Sequence, residues 1–204
     1  MKRIILFFTV AITFLSCKPD EPIATYIYEA KPHYDKGYVE FYGPYYDQFN
    51  IKNNVVSLSL FSDSLKISDE GELSGLGQYL TIDDIFVPDG VDYLAEGEYV
   101  ADSTSKPFTF FHGQNFKVDD LKIDVGASLY YFEKNKNFSV KKHISRGSFT
   151  VKITDSKHII TCNFVLSDSS KVEGSFSDTL PHFDFSLPTM NGIRRKVITK
   201  IALQ

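Results

Sequence analysis

Four aromatic residues stand within six positions at Phe41-Tyr42-Gly43-Pro44-Tyr45-Tyr46, and Asp47 follows them. A Gly-Pro pair turns the chain there, and turns lie at the surface, so strand alternation cannot bury every one of these rings. Exposed tyrosines stack on sugar rings or anchor protein interfaces, because each joins a flat apolar face to a polar tip. Tyr42, Tyr45 and Tyr46 are therefore the candidate ligand-binding residues. Packing in a β core is the competing use, and it applies more strongly to Tyr130-Tyr131-Phe132 and Phe110-Phe111-His112. The chain has no Trp, the strongest sugar platform.

No other residue pattern specifies chemistry. The five histidines, His33, His112, His143, His158 and His182, are scattered, with no His-x-His and no His-Glu-x-x-His, so no zinc site is expected. Asp83-Asp84, Asp89 and Asp119-Asp120 offer oxygens, but none has the Asp-x-Asp-x-Asp-Gly spacing of a calcium loop. Solvated strand ends and turns account for them. There is no Gly-x-Ser-x-Gly elbow, and Gly75-Leu76-Gly77 precedes no helix that would receive a phosphate. No catalytic, cofactor-binding or metal-ligating residue is assigned, and no cofactor is expected. Glycoside hydrolysis needs only two carboxylates at a suitable separation, which 26 acidic residues do not exclude.

The elements that must carry the tyrosines are strands. Tyr38–Tyr42, Val55–Phe61, Tyr79–Val87, Glu98–Ala101, Phe108–Phe111, Leu121–Val125 and Ser128–Phe132 are short runs rich in Phe, Tyr, Val, Ile and Thr. Residues 147–177 predict a three-stranded antiparallel meander, turned at Asp155-Ser156-Lys157 and again at Ser167–Ser170. Val197–Leu203 reads as a last strand, and residues 62–78 and 101–118 read as loops. No window holds apolar residues at helical spacing across three turns. The expected fold is all-β, an antiparallel β-sandwich with barrel-like closure as its variant. A single domain spans residues 23–204, a length ample for one hydrophobic core.

The start of the chain has a different character. Met1-Lys2-Arg3 is positive, Ile4–Leu15 holds only apolar residues and threonines, and Ser16 is small. That is the layout of a secretory signal over residues 1–16, and its apolar run is shorter than the roughly 20 residues of a membrane-crossing helix. Phe14-Leu15-Ser16-Cys17 resembles a bacterial lipobox, which implies that Cys17 is acylated and becomes the mature N-terminus. Two or more acyl chains, at about 0.8 kcal/mol per buried CH₂, hold a protein on its membrane without a spanning segment. Residues 17–22 then form a lipidated, acidic tether, and Lys18-Pro19-Asp20-Glu21 is similar to the surface-export signal of Bacteroidota lipoproteins. In layout the whole chain resembles the small outer-membrane lipoproteins of that group, with a single β-sandwich of unassigned activity. The resemblance places it on the outer membrane, exposed at the cell surface, with the periplasmic face as the alternative.

Removing residues 1–16 takes away Lys2 and Arg3 and no acid, so the net charge of −4 becomes −6. Arg146, Arg194 and Arg195 are then the remaining arginines, and the basic footprint that phosphate backbones require is missing. Nucleic acid is not an expected partner. With Cys17 acylated, Cys162 has no disulfide partner, and strand periodicity places it beside Ile160, Phe164 and Leu166 as a small core hydrophobe. Two functions remain open. One is a non-catalytic surface module that binds a glycan or an envelope protein. The other is a glycan-acting hydrolase whose carboxylates lack a recognisable motif.

Overall fold

The computed structural model describes residues 28–68, 73–118, 121–132 and 139–186. The signal, Cys17, the tether and the expected strand Val197–Leu203 lie outside the described residues.

The described chain is all-β, as its alternating apolar runs dictate, with no α-helix and one 3-10 turn at Asp47–Phe49. The strands are β1 (His33–Tyr34), β2 (Lys36–Gly43), β3 (Val55–Phe61), β4 (Leu65–Ile67), β5 (Leu73–Gly75) and β6 (Gly77–Phe86). Then come β7 (Gly97–Ala101), β8 (Thr109–Phe110), β9 (Gln114–Val118), β10 (Leu121–Val125) and β11 (Ser128–Phe132). The last are β12 (Ser139–Thr154), β13 (Lys157–Leu166), β14 (Lys171–Val172), β15 (Ser175–Asp178) and β16 (His182–Asp184).

Twelve of these form one sheet, in the order β1-β15-β13-β12-β7-β8-β6-β3-β2-β16, with β14 on β13. β11 pairs with both β12 and β6, which closes β12, β7, β8, β6 and β11 into a ring. The two-layer packing expected of a sandwich is thus reached by one sheet that curls on itself as a barrel, extended beyond β6 by β3, β2 and β16 and beyond β12 by β13, β14, β15 and β1. Closure removes free edges from the ring, where unpaired N–H and C=O groups would otherwise be open to other strands.

The main core gathers Val56, Leu58, Leu60, Ile82 and Ile85 with Tyr99, Phe110, Phe149 and Phe164 in one cluster. Tyr99 stacks on Phe149 with centroids 4.9 Å apart. Cys162 is buried in this core, and burial pushes its thiol pKa up to about 12, which makes it an inert apolar group. β12 and β13 turn at Asp155 and Ser156, both at positive φ, the geometry of a type I′ hairpin.

The outer face of β2, β3 and β6 is covered as well, so every residue of β3 is buried. Phe61, Tyr79 and Tyr130 stand directly opposite one another on β3, β6 and β11. Their rings stack at 4.6 and 5.4 Å. Tyr38 extends this row at 5.9 Å from Phe61. Such cross-strand pairs are the unit of sheet stabilisation. With Leu65 and Phe185, Tyr38 and Phe61 make a second, smaller core.

Two stretches expected as loops contain strands. Residues 62–78 carry the β4–β5 hairpin, and residues 101–118 carry β8 and β9. These strands are two to five residues long and interrupted by Gly, Pro or Ser, too short for alternation to be visible in sequence. The meander also breaks between β14 and β15 at Glu173 and Gly174, where the Glu173 N–H donates to the Ala30 carbonyl instead.

Candidate functional site

Two irregularities in the sheet build the site. On β2 the register slips between Phe41↔Val56 and Gly43↔Val55, which makes Tyr42 the extra residue of the β2 strand. On the other side of β3, the slip between Val56↔Ile85 and Leu58↔Ile82 sets Asp83 and Asp84 together against the single residue Ser57. Both are β-bulges, which re-aim side chains and commonly border functional sites. Without the second bulge, Asp83 and Asp84 would point to opposite faces, one of them into the apolar core. The bulge turns both toward the outer face.

The first bulge leads directly into the aromatic turn. Gly43 has φ +62, and a Cβ there would sit 3.2 Å from the Ser186 Cβ. Pro44 follows, the Asp47 N–H donates to the Pro44 carbonyl at 3.0 Å, and the 3-10 turn ends at Asn50 with φ 68. Tyr45 and Tyr46 are thereby folded back over the ends of β3 and β6. Tyr42 stacks on Phe185 at 5.9 Å, and Tyr46 packs on Phe86 and Phe111 at 6.0 and 6.1 Å. Tyr45 meets both other tyrosines edge-to-face, at 6.1 and 5.0 Å, and is 58% exposed. Two rings are therefore seated in packing, and the third stands in solvent upon them.

A cleft of about 410 Å³ opens between this turn and the carboxylates. Tyr42, Tyr45 and Tyr46 line one part of it, and Asp83, Asp84 and Asp124 line another. Val55 and Ser57 of β3 form part of its wall. Asp124 arrives on β10, followed by Gly126 at φ +72, where a Cβ would collide with the His112 carbonyl oxygen at 2.2 Å. The three tyrosines named from the sequence are thus brought together on one cleft. The acidic residues were missed as a site, because adjacent aspartates at the end of a strand look solvated unless a bulge is known to be there.

The electrostatics are uneven. The Tyr46 hydroxyl donates to Asp84 Oδ1 at 2.7 Å. Burial holds the Asp84 carboxyl above the usual carboxylate range, and the neighbouring Asp83 charge adds to this while the Tyr46 bond opposes it. Burial, and then the bond to Asp84, raise the Tyr46 phenol well above its ordinary value. Asp83 accepts from the Thr81 hydroxyl at 2.9 Å. Asp124 pairs with Lys141 at 2.8 Å, and the Lys141 ammonium lies over the Tyr130 ring at 5.2 Å. Behind the cleft, the fully buried Glu40 accepts from Ser57 Oγ at 2.7 Å and the Tyr42 hydroxyl at 3.1 Å.

A Ser, a His and an Asp also meet here. Ser128 Oγ is 3.3 Å from His143 Nδ1, and His143 Nε2 is 3.6 Å from Asp124 Oδ1. Ser128 is 2% exposed, so no substrate carbonyl reaches it, and 3.6 Å is too long for the orienting bond that a catalytic His requires. Among the described residues, no group of three or more His, Cys, Asp or Glu side chains is arranged to hold a metal ion.

Fold and site together define a class: a closed all-β domain with an aromatic and acidic cleft at the bulged end of its sheet extension. Comparison with known proteins adds no relative, since no protein-family model, curated protein or solved structure matches the chain.

Proposed function

We propose that this chain is a lipid-anchored protein of the bacterial cell envelope whose cleft binds a glycan without transforming it. The observation that carries the reading is the meeting of Tyr42, Tyr45 and Tyr46 with Asp83, Asp84 and Asp124 on one cleft. Sugars have apolar C–H faces and hydroxyl edges. Tyrosine rings cover the first, and carboxylates accept hydrogen bonds from the second. The cleft volume falls in the range of about 300–1,000 Å³ typical of small-molecule sites. The lipobox at Cys17 and the acidic tether support an anchor on the outer membrane, as in Bacteroidota surface lipoproteins, where extracellular glycans are met. An envelope protein presenting a saccharide is bound by the same surface.

Glycan hydrolysis is the second reading, and one feature favours it. Asp84 is a carboxyl held above its usual range, the property of a general acid, and Asp124, paired with Lys141, is a second acidic residue on the same cleft. Binding without turnover is preferred because Asp84 is already engaged by Tyr46 and Asp124 by Lys141. Titration calorimetry against a panel of oligosaccharides, with reducing-end release followed in the same samples, separates the readings. Binding with no release, lost in Tyr45→Ala, is the expected result. Release that disappears in Asp84→Asn would establish the hydrolase, and no binding to any saccharide would remove both.

A further inference from the structure

The cleft has a charge asymmetry that a neutral sugar does not answer. Among the described residues, three carboxylates line it and no Lys, Arg or His does. Asp124 is balanced from behind by Lys141, and Asp47, at the rim turn, by Lys52. Asp84 is different. Among the described residues its carboxyl meets the neutral Tyr46 hydroxyl and the like charge of Asp83, with no cation at ion-pair distance.

Tyr42, Tyr45 and Tyr46 line the same cleft as this carboxyl, and aromatic rings attract cations through their quadrupole. Desolvated carboxylate and aromatic wall thus favour the same kind of ligand group, a positive charge on an otherwise sugar-like body. We propose that the cleft selects amino sugars bearing a free, protonated amine, with Asp84 as the counter-ion of the ammonium and Tyr45 and Tyr46 as the rings beside it; this rests on the glycan-binding reading above.

Three consequences distinguish such a site from one for neutral sugars. N-acetylation of the ligand removes the charge and therefore the preference. Uronic acids are repelled by Asp83 and Asp84. The ammonium favours the ionised form of Asp84 and so opposes the burial that raises its pKa.

The experiment compares a glucosamine tetrasaccharide, its fully N-acetylated counterpart and a galacturonic acid tetrasaccharide by titration calorimetry at about pH 6 and low salt. The amine form is expected to bind at least about tenfold more tightly than the acetylated form, the scale of one pKa unit of charge interaction. Added salt should shrink that ratio. Asp84→Asn, which keeps an acceptor oxygen for Tyr46, should bring the two affinities together. Equal binding of the amine and acetylated forms, or tighter binding of the uronate, overturns the amine preference while leaving glycan binding in place. No binding of any of the three removes the glycan reading and the preference with it.

Discussion

The Tyr46 hydroxyl donates to Asp84 Oδ1 at 2.7 Å across 38 residues of sequence, and this bond fastens the aromatic turn to the bulged end of β6. Each partner depends on the other's position. Tyr46 is seated against Phe86 and Phe111, and Asp84 faces outward because two residues of β6 oppose the single Ser57. The bond makes a rigid corner from two elements that would otherwise be a mobile turn and a solvated carboxylate.

Tyr45 and Tyr46 should separate binding from stability. Tyr45 is exposed, so Tyr45→Ala should leave the melting temperature nearly unchanged and reduce ligand affinity by 2 kcal/mol or about thirtyfold if it is an anchoring ring. Tyr46→Ala removes ring packing and the Asp84 bond together, and should destabilise by about 3 kcal/mol, the lower end for large aromatic truncations. One melting curve and one titration per variant check both. Equal loss of stability in the two would return Tyr45 to ordinary packing.

Asp84 gives stability a defined dependence on pH. Its folded-state pKa is raised, so the native protein holds this proton more tightly than the unfolded chain does. That contribution is fully present below the ordinary carboxylate range and is lost as pH rises through the raised value. Asp84→Asn cannot ionise, so its melting temperature relative to the unaltered protein should improve from acidic to neutral pH. A difference that stays flat over that range would contradict the burial of the carboxyl.

Cys162 should behave as core. Its buried thiol, with a pKa of about 12, should ignore an aromatic disulfide reagent at neutral pH until denaturant unfolds the domain, and then react stoichiometrically. Reductant should leave the melting temperature of a fragment starting at residue 23 unchanged. Rapid labelling of the native fragment would show an open barrel.

The Asp155-Ser156 turn is an unoptimised type I′ hairpin. Both residues have positive φ, at 51° and 64°, where Asn-Gly is preferred. The double change Asp155→Asn with Ser156→Gly should stabilise by about 1 kcal/mol by relieving left-handed backbone strain, read from denaturant midpoints at constant slope.

Cys17 is the expected anchor. Cys17→Ala should abolish incorporation of labelled fatty acid and leave a soluble or unprocessed form, and persistence of the label would place the anchor elsewhere.

What the sequence determined by itself was whatever depends on local order. Alternation in Phe149, Val151 and Ile153 and in Ile160, Cys162 and Phe164 specified strands and their buried faces, because side chains on a strand repeat every two residues. The Gly43-Pro44 pair specified a surface turn, and so which tyrosines stand together. Tertiary structure alone decided the rest. Closure of the sheet through β11 depends on pairing with β6 and β12, whose partners are set by the curl of the sheet and leave no local trace. The acidic half of the cleft depends on register: Asp83 and Asp84 alternate in sequence like any strand pair, and only the mismatch against Ser57 turns both outward to meet Tyr46. Register is a relation between two strands, so neither strand's sequence contains it.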